Sequence, residues 1–262
     1  EQQTTPQTVE TPAVVEEDPV ITDECMANAS LFSTSEKNGQ YAEAYESWLQ
    51  VFKECPNSTR ATYTKGEKIL EWKYGQATTE EEKEAVRQMI MESYDKWVRW
   101  FGNDPKYPKA YILGRKGLAY CKYYENTKEK AYPWLKESVE GMKDRAQINV
   151  LTKFMEVSYY IYKENPAQYA QQFINDYTFC SSLLQSMCDD NTNVNASAAC
   201  QQKLAVDNLF AVSGAASCDK LDEVYASYVK DHLQHMEDLS SVMKMYKRVG
   251  CTESDVYFSA AA

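Results

Sequence analysis

Residues 25–56, CMANASLFSTSEKNGQYAEAYESWLQVFKECP, leave the chain few ways to fold. Apolar residues recur at helical spacing on both sides of Asn38-Gly39-Gln40: Leu31 and Phe32 before it, then Tyr41, Ala44, Tyr45, Trp48, Val51 and Phe52 after it. Gly39 suits a turn conformation that other residues resist, and Pro56 stops the second helix. Ala44 is small enough to let two helix axes approach closely, and Trp48 fills the groove beside it. The stretch therefore predicts two short antiparallel helices. Cys25 opens the first and Cys55 ends the second, so both fall at the same end of one hairpin.

Cys218 and Cys251 bracket another hairpin in the same manner, Cys218 following the N-cap candidate Ser217 and Cys251 following Gly250. Closing loops of this length stabilises each hairpin by roughly 3–4 kcal/mol in the chain-entropy model. Cys188 and Cys200 flank an Asp/Asn/Ala/Ser loop and are a third candidate pair, which leaves Cys121 and Cys180 by elimination. No cysteine falls in a C-x2-C metal spacing, and two bracketed hairpins point to an oxidising compartment.

The helical rhythm continues beyond Pro56. Asn57-Ser58-Thr59 offers caps for a helix to about Tyr74, carrying Tyr63, Gly66, Ile69, Leu70 and Trp72. Thr78 or Thr79 with Glu81-Glu82 has the form of a capping box, and opens a long helix through Val86, Ile90, Tyr94, Trp97 and Phe101. A third unit starts near Pro108, with Leu113, Gly117 and Tyr120 on its first helix and Ala131 and Leu135 on its second. A fourth covers 147–187, with Phe154, Val157, Ser158 and Ile161 followed by Ala170 and Ile174. A helix over 196–212 and the 217–251 hairpin follow. No segment alternates with period two over a useful length, so the expectation is all-α.

The order Gly39, Tyr41, Ala44, Trp48, Pro56 resembles the second half of a tetratricopeptide repeat, which ends in A-x3-F and a later Pro. Leu113, Gly117 and Tyr120 are similar to the W-x3-G-x2-Y spacing of that repeat's first helix, and Ala131-x3-Leu135 and Ala170-x3-Ile174 to its A-x3-F. The resemblance implies a right-handed α-α superhelix of about five helical hairpins over residues 25–262. Its structural positions would be Leu31, Gly39, Tyr41, Ala44, Trp48, Pro56, Gly117, Tyr120, Ala131 and Ala170. In that family the first helix of each unit lines a concave, partner-binding groove. Carried over, this implies Arg60, Tyr63 and Glu67, then Tyr111, Leu118 and Lys122, then Tyr159, Tyr162 and Lys163. Bracketed hairpins behind an acidic Pro/Thr leader also resemble secreted repeat proteins and lipoproteins of Bacteroidetes-type bacteria.

That leader, residues 1–24, holds seven acids, no bases, three prolines and no aromatic residue. It cannot bury enough surface to offset ordering, so it reads as a disordered tether, and a lipid anchor upstream of residue 1 would suit it. The chain opens on Glu1 without an initiator Met, which fits a removed signal peptide or a trimmed chain. The remainder carries 32 acids against 28 bases, which leaves no basic face for nucleic acid. No run of about 18 apolar residues spans a membrane.

Chemistry is scarce. No Gly-rich phosphate loop and no G-x-S-x-G occurs, and no cysteine has a convincing histidine partner. Glu16-Glu17 and Asp189-Asp190 read as solvated pairs, and Glu80–Glu84 as acids favouring a helix N-terminus. His232 and His235, near Asp231, Glu237 and Asp238, read as a solvated helix junction. The expectation is therefore no catalytic residue, no cofactor and no metal. The chain reads as a non-enzymatic scaffold of the periplasm or cell surface, gripping a protein or peptide in its groove. The alternative is a glycan-binding helical surface lipoprotein of a nutrient-uptake system, with Trp72, Trp97, Trp100 and Trp134 supplying stacking surface.

Overall fold

A computed structural model describes residues 18–262 except Ala216, His232 and His235; it is all-helical, with no strand among the described residues. The chain divides into two compact units at Lys83/Glu84.

The first unit holds α1 (Asp23–Lys37), α2 (Tyr41–Glu54), α3 (Ala61–Thr64) and α4 (Gly66–Gln76). Thr22 caps α1, its hydroxyl accepting from the Cys25 N–H. Gly39 turns the chain at φ +75°, where a side chain would be strained. Ala44 and Trp48 are fully buried, and Trp48 stacks on Phe52 with ring centroids 4.7 Å apart. The Trp48 indole N–H donates to the Thr62 carbonyl at 2.6 Å. A Cβ added to Gly66 would lie 2.8 Å from that indole nitrogen, so a glycine is what lets α4 lie against α2. Tyr41 stacks on Trp72, the Pro56 carbonyl accepts from Tyr63, and Cys25 and Cys55 form a disulfide.

Three expectations in this unit are corrected. The helix expected up to Tyr74 is two helices broken at Lys65, whose ammonium reaches across to the Ser33 carbonyl and the Glu36 carboxylate. Leu31 is 54% exposed, because α1 buries Cys25, Ala29, Phe32 and Ser35, a stripe that Leu31 misses by about a quarter turn. Tyr63 is fully buried: it shares one stripe with Gly66, Ile69 and Leu70, and belongs to the core rather than to a groove.

Helix α5 (Glu80–Phe101) begins with the expected capping box. Thr79 Oγ1 accepts from the Glu82 N–H, and the Glu82 carboxylate accepts from the N–H groups of Thr78 and Thr79. The second unit continues with α6 (Lys109–Tyr123), a 3-10 segment (Glu125–Ala131), α7 (Tyr132–Met142), a short 3-10 turn (Lys143–Arg145) and α8 (Ile148–Glu164). It ends with α9 (Pro166–Asp189), α10 (Ala196–Val212), α11 (Cys218–Asp231), α12 (Met236–Val249) and α13 (Asp255–Ala261). From α6 to α10 each α-helix packs on the next, and α11, α12 and α13 pack together.

Gly117 repeats the device seen at Gly66: a Cβ there would meet Leu135 of α7 at 2.6 Å. Tyr120, Ala131 and Ala170 are buried. Gly214 and Gly250 close α10 and α12 at φ +81° and +78°. Cys188–Cys200 and Cys218–Cys251 are disulfides with Cα atoms 4.8 and 5.4 Å apart. Cys121 and Cys180 do not pair, a further correction. Cys180 is inside the core on α9, whereas Cys121 is half-buried on a face of α6 that borders a hollow. His232 and His235 lie outside the described residues.

Candidate functional site

The site is built on α8. Val150, Leu151, Phe154, Met155, Val157, Ser158 and Tyr162 form its buried stripe. Asn149, Thr152, Lys153, Glu156 and Tyr160 recur at helical spacing on another face, and that face floors two open hollows of the second unit. The larger, about 790 Å³, is walled on one side by Leu118 of α6 and by Asp144, Arg145 and Gln147 before α8. Its other wall is Met187, Asn193, Asn195, Ala198 and Gln202, running from the end of α9 through the connecting loop into α10. The smaller, about 500 Å³, adds Cys121, Glu125, Asn126, Lys128 and Tyr160. Both hollows include Lys153 and Glu156, so they join into one groove. Eleven helical steps from Asn149 to Tyr160 give a floor of about 16 Å, the reach of about five residues of extended chain.

The lining is polar but balanced. Three acids (Glu125, Asp144, Glu156) face three bases (Lys128, Arg145, Lys153), and Lys153 is already bonded to Glu156. Lys128 covers the Tyr160 ring at 4.4 Å. Burial pushes the Cys121 thiol up to about 11, which keeps it protonated and unreactive at neutral pH. Six side-chain amides line it as well: Asn126, Gln147, Asn149, Asn193, Asn195 and Gln202. The Gln147 amide donates to the Tyr111 hydroxyl at 3.2 Å. Thr152 Oγ1 lies 3.2 Å from Gln202 Oε1. Asn195 begins α10 without a side-chain cap, and Asn193 Oδ1 accepts from the Asn195 N–H at 2.9 Å.

Family models, curated proteins and solved structures give no match to this chain.

The nine groove residues implied by the sequence fare unevenly. Leu118 lines the groove and Tyr111 holds one end of it through Gln147. Tyr162 is a correction: it is buried against Phe173 with ring centroids 5.0 Å apart, because it continues the Leu151, Phe154, Met155, Ser158 stripe. Tyr159 is half-buried beside Phe173, and Lys163 is exposed with its ammonium 5.8 Å above the Tyr159 ring. Lys122 is exposed beside Tyr123. Arg60 and Glu67 are half-buried in the first unit. The floor residues Asn149, Thr152, Lys153, Glu156 and Tyr160 were missed; their signal was a second, polar period on α8 alongside the apolar one.

Two further clusters in this unit join helices, the first buried and the second part-exposed. Tyr132 and Ser158 both donate to Asp176 Oδ2, at 2.8 and 2.5 Å, joining α7, α8 and α9. Burial pushes the Asp176 carboxyl up to about 6 despite those donors. Ser158 has no exposed surface, and Asp176 is buried beside it. At the second junction, Tyr177 and Ser181 donate to Asp207 Oδ1 at 3.0 Å each, and Arg248 of α12 donates to both hydroxyls at 2.7 Å. Burial pulls the Asp207 carboxyl up, but Lys203, Arg248 and the two hydroxyls outweigh it and hold it below the usual range.

Proposed function

We propose that this chain is a non-enzymatic scaffold of tetratricopeptide-like hairpins that grips a protein or peptide segment in the groove floored by α8. The observation that carries the reading is the lining: six amide side chains in a groove without net charge, about five residues long. Asn and Gln amides present the same donor and acceptor pair as a peptide group, so an extended backbone can exchange its water for them without burying charge. Leu118, Ile148, Met187 and Ala198 give apolar spots for alternate side chains. A glycan reading finds less support in this groove, which holds one ring, Tyr160, already under Lys128; of the tryptophans it would use, Trp97 is buried, and the half-buried Trp72, Trp100 and Trp134 lie outside the groove lining. Three disulfides support a place outside the reducing cytoplasm, at a periplasmic or surface site.

The test is panning a random decapeptide display library on the full chain. Enriched peptides should lose about tenfold in affinity on the N149A/Q202A chain and keep it on K163A. A library that enriches nothing over an unrelated helical control would end the proposal.

A further inference from the structure

One wall of the groove is covalently tied. Asn193, Asn195 and Ala198 lie inside the loop closed by the Cys188–Cys200 disulfide, and Met187 and Gln202 stand just outside its two ends. These five residues make up the whole α9–α10 side of the larger hollow. The other two disulfides hold hairpins elsewhere and contribute nothing to this lining.

The three bonds also differ in access. Cys25 and Cys55 are both buried, and Cys251 is buried opposite an exposed Cys218. Only Cys188–Cys200 has neither cysteine buried: Cys188 is half-buried at the end of α9, and Cys200 is exposed in the first turns of α10. We infer that Cys188–Cys200 is a redox-sensitive clamp that sets the geometry of the groove wall. This rests on the groove being the binding site, and it adds how that site is regulated.

The reductant is a dithiol. Its thiolate attacks Sγ of the exposed Cys200, giving a mixed disulfide, and Cys188 leaves as a thiolate that takes a proton. The second thiol of the reductant then closes its own disulfide and releases Cys200 as a thiol. Two electrons and two protons pass from the dithiol to the protein. Opening the bond leaves the body of α9 and α10 in place, because Tyr177 stacks on Phe210 at 3.8 Å and bonds Asp207 at 3.0 Å well away from the loop. What loosens is the six-residue connection, residues 190–195, whose side chains bond locally: Asp190 with Thr192 and Asn193, and Asn193 with Asn195. Burial of the Cys121 thiol keeps it from reacting with the open pair.

The experiment titrates the full chain with dithiothreitol, alkylates at each step, and follows amide hydrogen exchange by mass spectrometry. Cys188 and Cys200 should become alkylated at least about tenfold faster than the other four disulfide cysteines. Amides over 190–199 should then exchange about tenfold faster, with those of α9 before residue 185 unchanged. The C188S/C200S chain should exchange over 190–199 like the reduced protein without any reductant. Three disulfides opening together would overturn the inference, and so would an unchanged exchange rate over 190–199 in the reduced chain. Neither readout uses a ligand, so a groove that loosens as stated yet enriches no peptide removes the binding reading alone.

Discussion

Asp176 is a carboxylate placed where water is scarce, and that gives this protein a pH signature. Its two hydrogen-bond donors are neutral hydroxyls, and the nearby charges of Lys136 and Glu140 oppose each other. Burial dominates, so the folded-state pKa stands at about 6 against 3.8 in the open chain. The folded protein therefore holds a proton that the unfolded chain gives up between these values. The associated stability is fully present below about pH 4 and is lost as pH rises through 6, by about 3 kcal/mol at most. Asp176→Asn keeps an oxygen that accepts from both Tyr132 and Ser158 and never ionises. Its denaturation midpoint should stay flat between pH 4 and 7, and at pH 7.5 it should exceed the wild-type chain by about 1–3 kcal/mol. Urea titrations of both chains at pH 4 and 7.5 check this; an Asn variant less stable at pH 7.5 would show the carboxylate to be stabilising instead.

Between elements, the decisive contacts are glycine against a large side chain. A methyl group at Gly66 presses on a Trp48 indole that its bond to Thr62 holds in place, and one at Gly117 presses on a fully buried Leu135. Gly66→Ala and Gly117→Ala should each cost about 1–3 kcal/mol in thermal denaturation, against the usual gain for Gly→Ala within a helix. Hairpin closure is tested in the same way: C25S/C55S should lose about 3–4 kcal/mol by the chain-entropy account. These elements were legible because their signals are local: a glycine at a turn, a Thr/Glu box, a cysteine at each end of a hairpin. Periodicity was less able to say which aromatic residues face outward. Tyr63 and Tyr162 looked like groove residues as aromatics on a first helix, yet Tyr63 lies in step with the buried stripe of α4 that follows it and Tyr162 with that of α8. The α8 floor escaped notice for the opposite reason. Asn149, Thr152, Lys153 and Glu156 are ordinary surface residues by type, and only the flanking α6, 3-10 segment and α10 turn that surface into a groove. Lys65, at the break between α3 and α4, likewise finds its partner, Glu36, far away in sequence.

For the chain as a whole, the distribution of charge separates the ways it could hold a partner. The acidic excess sits largely in residues 1–24, and the remainder is close to neutral. The groove itself balances three acids with three bases, one pair of which is already joined. A ligand held by amides and a few apolar spots releases almost no counterions on binding, and at physiological salt charges beyond about 8 Å are screened anyway. Affinity of an enriched peptide, measured by titration calorimetry, should therefore change by less than about threefold between 50 and 500 mM salt. Nucleic acid held by several phosphate contacts would instead weaken by orders of magnitude over that range. A steep salt dependence for the peptide would place the binding energy in Lys128, Arg145 and Lys153, and the amides would then serve only to fill the groove between them.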